Sequence, residues 1–547
     1  RRRTGVSCRM LDLGVLSKFA VGASTAAALS TLLATPTTKD NKVAVAIAVV
    51  AVGGAVALVG KYVQDRVVPW FLLVKTYDSI APESPPTPRS SECALFRHLP
   101  CLRSRVAWVS LGEFPTPIHT VTLPNVGGDG QHRTVYLKRE DLSSPLYGGN
   151  KVRTLEHQIA SCALHHDNNP DARYFVQGMS GSNQTVATVV HGRCHGLPII
   201  PCLIDEDEPD FDNTLNLLSL LSFRLPDLHV WTSYTTTIAP LIQSAVFGSK
   251  DKVFAFGGNN LCGVLGQLGG MLELAEQIQR GDVPDVDVLY VAVGSGCTLT
   301  GQILGVCLAR HLHMRAFQSP SFRIVAVPIL PAMAEEHAKA AFYKSWWSRF
   351  HPLYPRYGFR RAAAFLSGCG LDVNLEPLAT DFLLHHVDMI TDPDIVGPCG
   401  AHSVASLEAA TTFEASMAVE GELPPWMQSD ACHASAVIND VNEVKPWLCG
   451  HFTAKVFAKL VADVRSGDDK AVRLMWQTKS WVQPRGDDDE WTKLNDLAAT
   501  NDDVKSWVNG GLAHSALRPG RVQVPHGNSD AYRSVMTSIS SREPKQL

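Results

Sequence analysis

The stretch LKREDLSSPLYGGNKVRTLE, residues 137–156, joins a strand-like segment to a glycine pair, an amide and a basic helix start. Its first part belongs to the β-branched run TVYLKRE (134–140), which is typical of a buried strand. Lys151 follows the glycines at the point where the helix opens. A solvated lysine at a helix start needs no such setting, whereas a lysine with a covalent role does. We therefore take Lys151 as a candidate reactive amine.

Further β-branched runs alternate with helical stretches from about residue 106 onward. The runs are ARYFVQG (172–178), LPIIPCL (197–203), DVLYVAVG (287–294) and FRIVAVPIL (322–330). Strands that alternate with helices predict an α/β fold with mostly parallel sheets covered by helices on both faces. Ligands in such folds bind beyond the carboxyl ends of the strands, so the informative motifs should lie in strand-to-helix turns.

One such turn is built from small residues that follow DVLYVAV and precede a helix-like stretch. Small residues let backbone N–H groups approach an anion, and the helix dipole favours negative charge there. A nicotinamide site would want an acidic residue about 20 positions on, but no Asp or Glu occurs between Gly294 and Glu335. No GxxxxGK[ST] motif is present either. The turn therefore predicts a site for the phosphate of a smaller cofactor, and it consists of Gly294, Ser295, Gly296, Cys297 and Thr298.

A second turn, GMSGSNQT (178–185), follows the strand ARYFVQ and offers hydroxyl and amide groups without charge. Ser182, Asn183 and Gln184 are its candidate binding residues. The alternative is an ordinary capped helix, in which Ser or Asn satisfies the N–H groups of the first turn.

Composition excludes several classes of protein. The 547 residues are 45% hydrophobic and 19% charged with a net charge of −4, so no basic excess suggests nucleic acid. The 13 cysteines form no CxxC pair and are odd in number. This argues against a disulfide framework and a structural zinc site, and favours a reducing compartment for the catalytic part. No metal site is expected.

The beginning of the chain has the character of a targeting and membrane segment. Residues 1–42 are Arg-rich and acid-poor at their start, which is typical of organelle targeting, with a mitochondrion as one possibility. Residues 43–60, VAVAIAVVAVGGAVALVG, form an uncharged run of 18 residues, just long enough for a transmembrane helix. The alternative is a buried helix of the main domain. We expect a linker at 61–105, a catalytic domain at 106–490 and a C-terminal tail at 491–547.

Several motifs together resemble the pyridoxal-phosphate enzymes of the tryptophan-synthase-β fold (fold type II). The branch they resemble is that of 1-aminocyclopropane-1-carboxylate deaminase and D-cysteine desulfhydrase. The resemblance spans roughly 111–480, and GGNKVRTLE is its strongest piece. In family order, the motifs are LGEFPTPIH (111–119), LKREDLSSPLYGGNKVRTLE (137–156), SGSNQT (180–185), FGGNNLCGVLG (256–266), VAVGSGCTLTG (291–301), HFTAKVFAKL (451–460) and LMWQTKS (474–480).

The resemblance implies a role for each matched residue. Lys151 would bind the aldehyde of pyridoxal 5′-phosphate and move the substrate α-proton, with Ser182 as nucleophile or proton carrier. Asn183 would face the phenolic oxygen of the cofactor, and Thr453 its pyridine nitrogen. The 294–298 turn would hold the phosphate. The substrate would be contacted by Asn150, Gln184, Cys399 and Phe452.

The chain departs from the family pattern in four places. Phe452 replaces a tyrosine, and a second tyrosine falls on Cys399, or on His402 in an ungapped alignment. QTKS (477–480) replaces HTGG. An insertion at 422–451 carries Trp426 and Trp447 and would be a surface loop or, alternatively, a lid or partner surface.

The resemblance implies a two-lobed enzyme with the cofactor between the lobes, the small lobe comprising about 175–254. The expected reaction is β-elimination from a small amino acid, as by a D-cysteine desulfhydrase, giving a 2-oxo acid, ammonia and sulfide. The alternatives are ring opening of 1-aminocyclopropane-1-carboxylate, racemisation of an amino acid, and a non-catalytic, cofactor-binding membrane protein. A homodimer is expected from the resemblance. The expected location is a membrane or an organelle.

Overall fold

The structure is a computed structural model, and it describes most of the chain between residues 68 and 513. The described ranges are 68–87, 93–124, 132–204, 208–225, 227–232, 239–240, 249–329, 346–352, 354–428, 445–466, 470–484, 486, 490–499 and 502–513.

A seven-stranded sheet forms the larger lobe, with the strand order β8-β7-β6-β10-β2-β1-β9. The central strands pair in parallel, whereas β1 pairs antiparallel with both β2 and β9. The sheet is therefore mixed and mostly parallel, as the sequence predicted. Its strands are β1 (Ile118–Leu123), β2 (Arg133–Arg139), β6 (Val288–Val293), β7 (Arg323–Pro328), β8 (Val387–Met389), β9 (Ala418–Glu420) and β10 (Arg473–Gln477).

A three-stranded parallel sheet forms the second lobe, with the order β4-β3-β5. Its strands are β3 (Tyr174–Met179), β4 (Ile199–Ile204) and β5 (Lys252–Phe254). They are apolar on both faces because helices cover the sheet, and β4 is buried along its whole length. All five strands that the sequence predicted are present, within one or two residues at each end.

The helices pack around these sheets in the alternating pattern that parallel strands require. The long helix α6 packs against both α3 and α7. The helices are α1 (Val68–Ser79), α2 (Ala94–His98), α3 (Lys151–Asn168), α4 (Asn183–Cys194), α5 (Phe211–Ser222), α6 (Leu261–Arg280), α7 (Cys297–His311), α8 (Pro355–Gly368), α9 (Leu375–His385), α10 (Pro393–Val396), α11 (Val404–Ser416), α12 (Thr453–Ser466), α13 (Glu490–Ala498) and α14 (Asp502–Ala513).

The segment predicted as a linker at 61–105 is in large part a component of the folded body. Helices α1 and α2 lie within it, and Tyr77, Leu95 and Phe96 are buried in the core around α6 and α7. The Pro-rich sequence near residue 85 suggested a linker, but the apolar side chains on either side of it bury against the large lobe. The linker prediction is therefore wrong for these helices.

The predicted tail at 491–547 also begins inside the folded body. Helices α13 and α14 pack on α5, and Leu494, Val504 and Trp507 join the core of the small lobe. The segment is polar in overall composition, but each helix has one apolar face, which the composition alone does not show. Residues 514–547 lie outside the described residues.

The insertion at 422–451 uses its tryptophans as core side chains. Trp426 is buried against Trp481, and its indole N–H donates to the carbonyl oxygen of Leu142. Trp447 is completely buried beside Phe211. These contacts tie the two ends of the insertion to the body, and residues 429–444 between them lie outside the described residues.

The transmembrane prediction concerns residues 43–60, which lie outside the described residues. In the part of the chain that the structure describes, none of the helices is both long enough and apolar enough to cross a bilayer. The targeting segment at 1–42 is likewise outside the described residues, so membrane attachment stays a prediction.

Candidate active site

A cleft lies between the two lobes, at the carboxyl ends of β3 and β6. Three strand-to-helix or loop-to-helix junctions open into it, because the carboxyl ends of parallel strands share one edge of their sheet. The sequence-predicted residues that line the cleft are Asn150, Lys151, Ser182, Asn183, Gln184, Gly294, Ser295, Gly296, Cys297, Thr298 and Phe452.

Lys151 is the first residue of α3, and its amine points into the cleft. Lys151 Nζ donates to the carbonyl oxygen of Gly257 at 2.8 Å. Burial lowers the pKa of Lys151, and the nearby Cys297 opposes this only in part. A lowered pKa increases the neutral fraction of the amine, which is the form that attacks a carbonyl carbon. The first residue of α3 thus places in the cleft an amine whose neutral fraction is increased.

The Gly294–Thr298 turn links β6 to the N-terminus of the 15-residue helix α7. Gly296 is the N-cap and has φ 83°, a left-handed conformation that favours glycine. The first N–H groups of α7 have no partner within the helix, and the helix dipole places partial positive charge there. Burial raises the pKa of Cys297 to about 11, so the thiol stays neutral beside this site. The turn is suited to a phosphate group.

Side-chain contacts connect this turn to the start of α3. Asn150 Nδ2 donates to Thr298 Oγ1 at 2.8 Å, and Ser295 Oγ donates to the carbonyl oxygen of Gly257 at 3.3 Å. Gly257 therefore accepts from both Lys151 and Ser295. Asn150, expected to contact substrate, lines the cleft and also connects the lysine turn to the anion-binding turn.

Asn183 begins α4, and its amide orientation is fixed by neighbouring donors. Asn183 Oδ1 accepts from Tyr147 Oη at 2.8 Å, from Asn216 Nδ2 at 2.8 Å and from Lys479 Nζ at 3.3 Å. Asn216 Nδ2 is fixed as a donor by its bond to the carbonyl oxygen of Gly181, so the atom of Asn183 that faces it must be the carbonyl oxygen. The NH₂ group of Asn183 is then left as a donor at the edge of the cleft.

Ser182 is the N-cap of α4, and its Oγ accepts from the Thr185 N–H at 3.2 Å. The capping role that the sequence left open is therefore present. Ser182 still lines the cleft, and its hydroxyl proton is not used by the capping bond. Both interpretations of Ser182 fit the same conformation.

Two buried side-chain oxygens in the cleft lining have no hydrogen-bond partner among the described residues. They are Gln184 Oε1 and Thr478 Oγ1. Leaving a buried polar atom unpaired costs roughly 1–3 kcal/mol, and a ligand in the cleft would remove this cost. Thr478 was not among the predicted site residues.

Thr453 and Cys399 do not line the cleft. Thr453 Oγ1 donates to the carbonyl oxygen of Trp447 at 3.0 Å and accepts from the Cys449 N–H at 2.8 Å. Its hydroxyl is used by its own turn, and the role expected for it at a pyridine nitrogen stays a prediction. Cys399 Sγ lies 3.9 Å from Met179 Sδ, behind the cleft wall, and His402 bonds to Ser406.

His451 lines the cleft but was not predicted. Its ring stacks on Phe452 with centroids 4.1 Å apart. Asn213 Nδ2 donates to Gly400 O at 2.7 Å and lies 3.3 Å from His451 Nδ1, so Nδ1 is the acceptor and Nε2 carries the proton. Burial lowers the pKa of His451 to about 3, and the charge of Lys455 adds to this. The neutral imidazole of His451 therefore offers an N–H donor next to Phe452, which lacks the hydroxyl group of the tyrosine that the resemblance implies.

Other lining residues were also missed, namely Met179, Phe256, Gly257, Leu299 and Ile329. FGG (256–258) was a sequence signal that could have identified Gly257, because a glycine pair in a loop often marks a close backbone approach. Within the described residues, no group of three or more His, Cys, Asp or Glu side chains is placed to hold a metal ion.

Part of the chain is similar to known proteins. Residues 109–349 match a family described as pyridoxal-phosphate dependent enzyme. A D-cysteine desulfhydrase of Serratia proteamaculans is 30% identical over 179 residues, 32% of this chain and 53% of the relative. A mitochondrial bifunctional D-cysteine desulfhydrase/1-aminocyclopropane-1-carboxylate deaminase of Arabidopsis thaliana is 27% identical over 207 residues, 36% of this chain and 50% of the relative. The chain thus spans about half the length of these relatives.

Among solved structures, a crystal structure of a homologue of 1-aminocyclopropane-1-carboxylate deaminase aligns with a TM-score of 0.46 and 20% identity. The alignment covers 76% of this chain and 100% of that one.

The cleft fits the cofactor of this family. The anion-binding turn and the amine of Lys151 open into one cavity, and a Cβ built on Gly257 would collide with Ser295 Oγ and fill the junction between them. Pyridoxal phosphate carries a phosphate and an aldehyde, which these two groups would bind. Over residues 109–349, the chain is similar to the pyridoxal-phosphate dependent enzymes, and the cofactor that this similarity implies is pyridoxal 5′-phosphate.

Proposed function

We propose that this protein is a lyase that removes the β-substituent and the amino group of a small amino acid, as a D-cysteine desulfhydrase does. The observation that carries the proposal is the amine of Lys151 opening into the same cleft as the Gly294–Thr298 turn and the Asn183 amide. Relatives named D-cysteine desulfhydrase support the choice of reaction.

The bound cofactor supplies an electron sink that stabilises negative charge at the substrate α-carbon. The protein supplies position and proton transfer. The Gly294–Thr298 turn would hold the phosphate, and the Asn183 NH₂ group would donate to the ring oxygen. Lys151, whose pKa is lowered by burial, would accept the α-proton once the substrate amine has displaced it.

For D-cysteine the reaction balances as follows. The α C–H bond breaks and its proton passes to Lys151 Nζ, and the β C–S bond breaks with release of hydrosulfide. The resulting enamine takes up a proton and is hydrolysed by water to pyruvate and ammonia. Ser182, at the N-terminus of α4, keeps its hydroxyl proton beside the cleft and is our candidate for donating a hydrogen bond to the leaving sulfur.

Ring opening of 1-aminocyclopropane-1-carboxylate is the second candidate, supported by the name of the Arabidopsis relative. Two features weigh against it. The cleft has Phe452 where the resemblance implies a tyrosine, and Cys399 lies behind Met179 and not in the lining. Carbon is a poorer leaving group than sulfur. Breaking the ring C–C bond therefore needs more assistance from proton transfer than breaking a C–S bond. Elimination therefore suits this cleft better.

The test is release of 2-oxo acid from D-cysteine, L-cysteine, D-serine, L-serine and 1-aminocyclopropane-1-carboxylate. The whole chain should be used, because α1 and α2 contribute core side chains and a start at residue 100 would remove them. Lys151→Ala is the active-site variant. Lys459→Ala is the matched control, since Lys459 pairs with Asp463 on α12 and does not line the cleft.

We expect D-cysteine to give pyruvate and sulfide in equal amounts, with loss of at least about a thousandfold in Lys151→Ala and little change in Lys459→Ala. Turnover of 1-aminocyclopropane-1-carboxylate alone would select the second candidate. Absence of turnover with all five substrates, in protein that carries its cofactor, would contradict the proposed reaction.

A further inference from the structure

Lys479 is a buried cation directly behind Asn183, in the turn after β10. Its side chain is 1% exposed. Lys479 Nζ lies 3.1 Å from Asn216 Oδ1, 3.2 Å from Gln483 Oε1 and 3.3 Å from Asn183 Oδ1. Tyr147 Oη lies at 3.5 Å. Amide oxygens from α4, α5 and the segment after β10 thus surround the amine of Lys479.

The amide orientations show that these oxygens face Lys479. Asn216 Nδ2 donates to the carbonyl oxygen of Gly181 at 2.9 Å, and Gln483 Nε2 donates to Ser219 Oγ at 2.7 Å. Each amide nitrogen is therefore directed elsewhere. Three carbonyl oxygens at one nitrogen require three N–H donors, which an ammonium has and a neutral amine lacks. The geometry identifies Lys479 as charged.

Two aromatic rings also contact this cation. The rings of Tyr147 and Trp447 each have their centroid 5.6 Å from Lys479 Nζ, within cation–π range. Asp212 lies in the same buried region, since its charge acts on Tyr147 and Cys449. The field at Asn183 is thus that of a cation partly balanced by a carboxylate. Burial of an ammonium is costly, and a methionine would fill the same space without that cost.

We propose that Lys479 is a positioning residue for the cofactor. It orders Asn183 so that the amide NH₂ points to the cleft, and its charge polarises that amide as a donor. Since the proposed function places the phenolic oxygen of the cofactor at the Asn183 NH₂, the inference rests on that site. The consequence is that bound cofactor is held with its ring oxygen ionised, which is the state that absorbs at longer wavelength.

The test uses the full-length protein loaded with pyridoxal phosphate at one fixed pH. Lys479→Met should move absorbance from the longer-wavelength band to the shorter-wavelength band of the bound cofactor. It should also weaken cofactor binding, measured by equilibrium dialysis, by about tenfold, since a charge-assisted contact is lost. Lys479→Arg, which keeps the charge, should retain the longer-wavelength band.

Two further variants separate charge from disturbance. Tyr147→Phe removes another donor to Asn183 without removing charge, so its spectrum should stay close to the wild-type spectrum. Lys459→Met removes a lysine away from the cleft and should change neither readout. Should Lys479→Met fail to fold, as judged by circular dichroism, Lys479→Gln removes the charge, keeps a donor and carries the same expectation.

An unchanged band distribution in a folded variant without charge at position 479 would overturn the inference. So would a shift in Tyr147→Phe as large as the shift in Lys479→Met. Neither readout needs turnover. Wild-type protein that binds cofactor but releases no 2-oxo acid would contradict only the proposed reaction, whereas wild-type protein that binds no pyridoxal phosphate would contradict both.

Discussion

Lys151 Nζ and the carbonyl oxygen of Gly257 are 2.8 Å apart, and Ser295 Oγ donates to that same oxygen. This single carbonyl group joins the reactive amine to the anion-binding turn. Gly257 has φ 61°, a left-handed conformation, and has no room for a Cβ beside Ser295. The distance between the two functional ends of the cleft therefore depends on this glycine.

Gly257→Ala should weaken binding of pyridoxal phosphate by about tenfold or more, because the new methyl group must displace Ser295 or the backbone of the loop. Equilibrium dialysis of the cofactor measures this effect.

The matched control is Gly281→Ala, at the C-terminal end of α6. Gly281 has φ 87° but no atom within 4 Å of a built Cβ. The Gly281→Ala variant should be less stable because of backbone strain, but its affinity for the cofactor should be unchanged. Equal loss of affinity in both variants would refute a local role for Gly257.

Sequence patterns were sufficient to predict five of the ten strands in the described part of the chain and three of the cleft-lining segments. Lys151, Asn183 and the Gly294–Thr298 turn lie at strand-to-helix or loop-to-helix junctions, and such junctions are local in sequence. Their position at one edge of the sheets follows from parallel pairing alone.

Side-chain direction and long-range contacts were not predictable in this way. Thr453 turns its hydroxyl into its own helix start, which depends on Trp447 and Cys449 being folded beneath it. Lys479 meets Asn183 across 296 residues of sequence. Trp426 looked like a loop residue because its partner, Trp481, lies 55 positions further along the chain. These positions are determined by tertiary packing.

The pH dependence of stability should include a contribution from Glu156 on α3. Burial raises the pKa of Glu156 to about 8, although Arg153 and the Trp108 N–H oppose the shift. The folded state then keeps a proton that the unfolded state releases near pH 4.5, so stability falls as the pH rises from about 4.5 to 8. Glu156→Gln, which is uncharged at every pH, should lose this dependence.

Chemical denaturation of both proteins at pH 5 and pH 8 measures the effect. The stability of the variant relative to wild type should rise by up to about 3 kcal/mol between the two pH values. A constant difference across this interval would mean that Glu156 is ionised in the folded protein.

His451 should not titrate during catalysis. Because burial lowers its pKa to about 3, its imidazole stays a neutral donor from pH 5 to pH 9. We expect His451→Gln, which keeps an N–H donor, to retain turnover within about tenfold, and His451→Phe to lose more. The pH profile of kcat/KM should show the same inflections in wild type and His451→Gln. An inflection near pH 6.5 that disappears in the variant would show a titrating imidazole instead.

The central claim is that Lys151 is the lysine that binds the cofactor covalently. Two other lysines, Lys455 and Lys479, are buried. The experiment must therefore identify which lysine amine binds the cofactor. Borohydride reduction of the loaded full-length protein, followed by proteolysis and mass spectrometry, fixes the cofactor on the lysine that carries it. We predict the phosphopyridoxyl group on Lys151. Modification of Lys479, Lys455 or any other lysine, with Lys151 unmodified, would contradict the account.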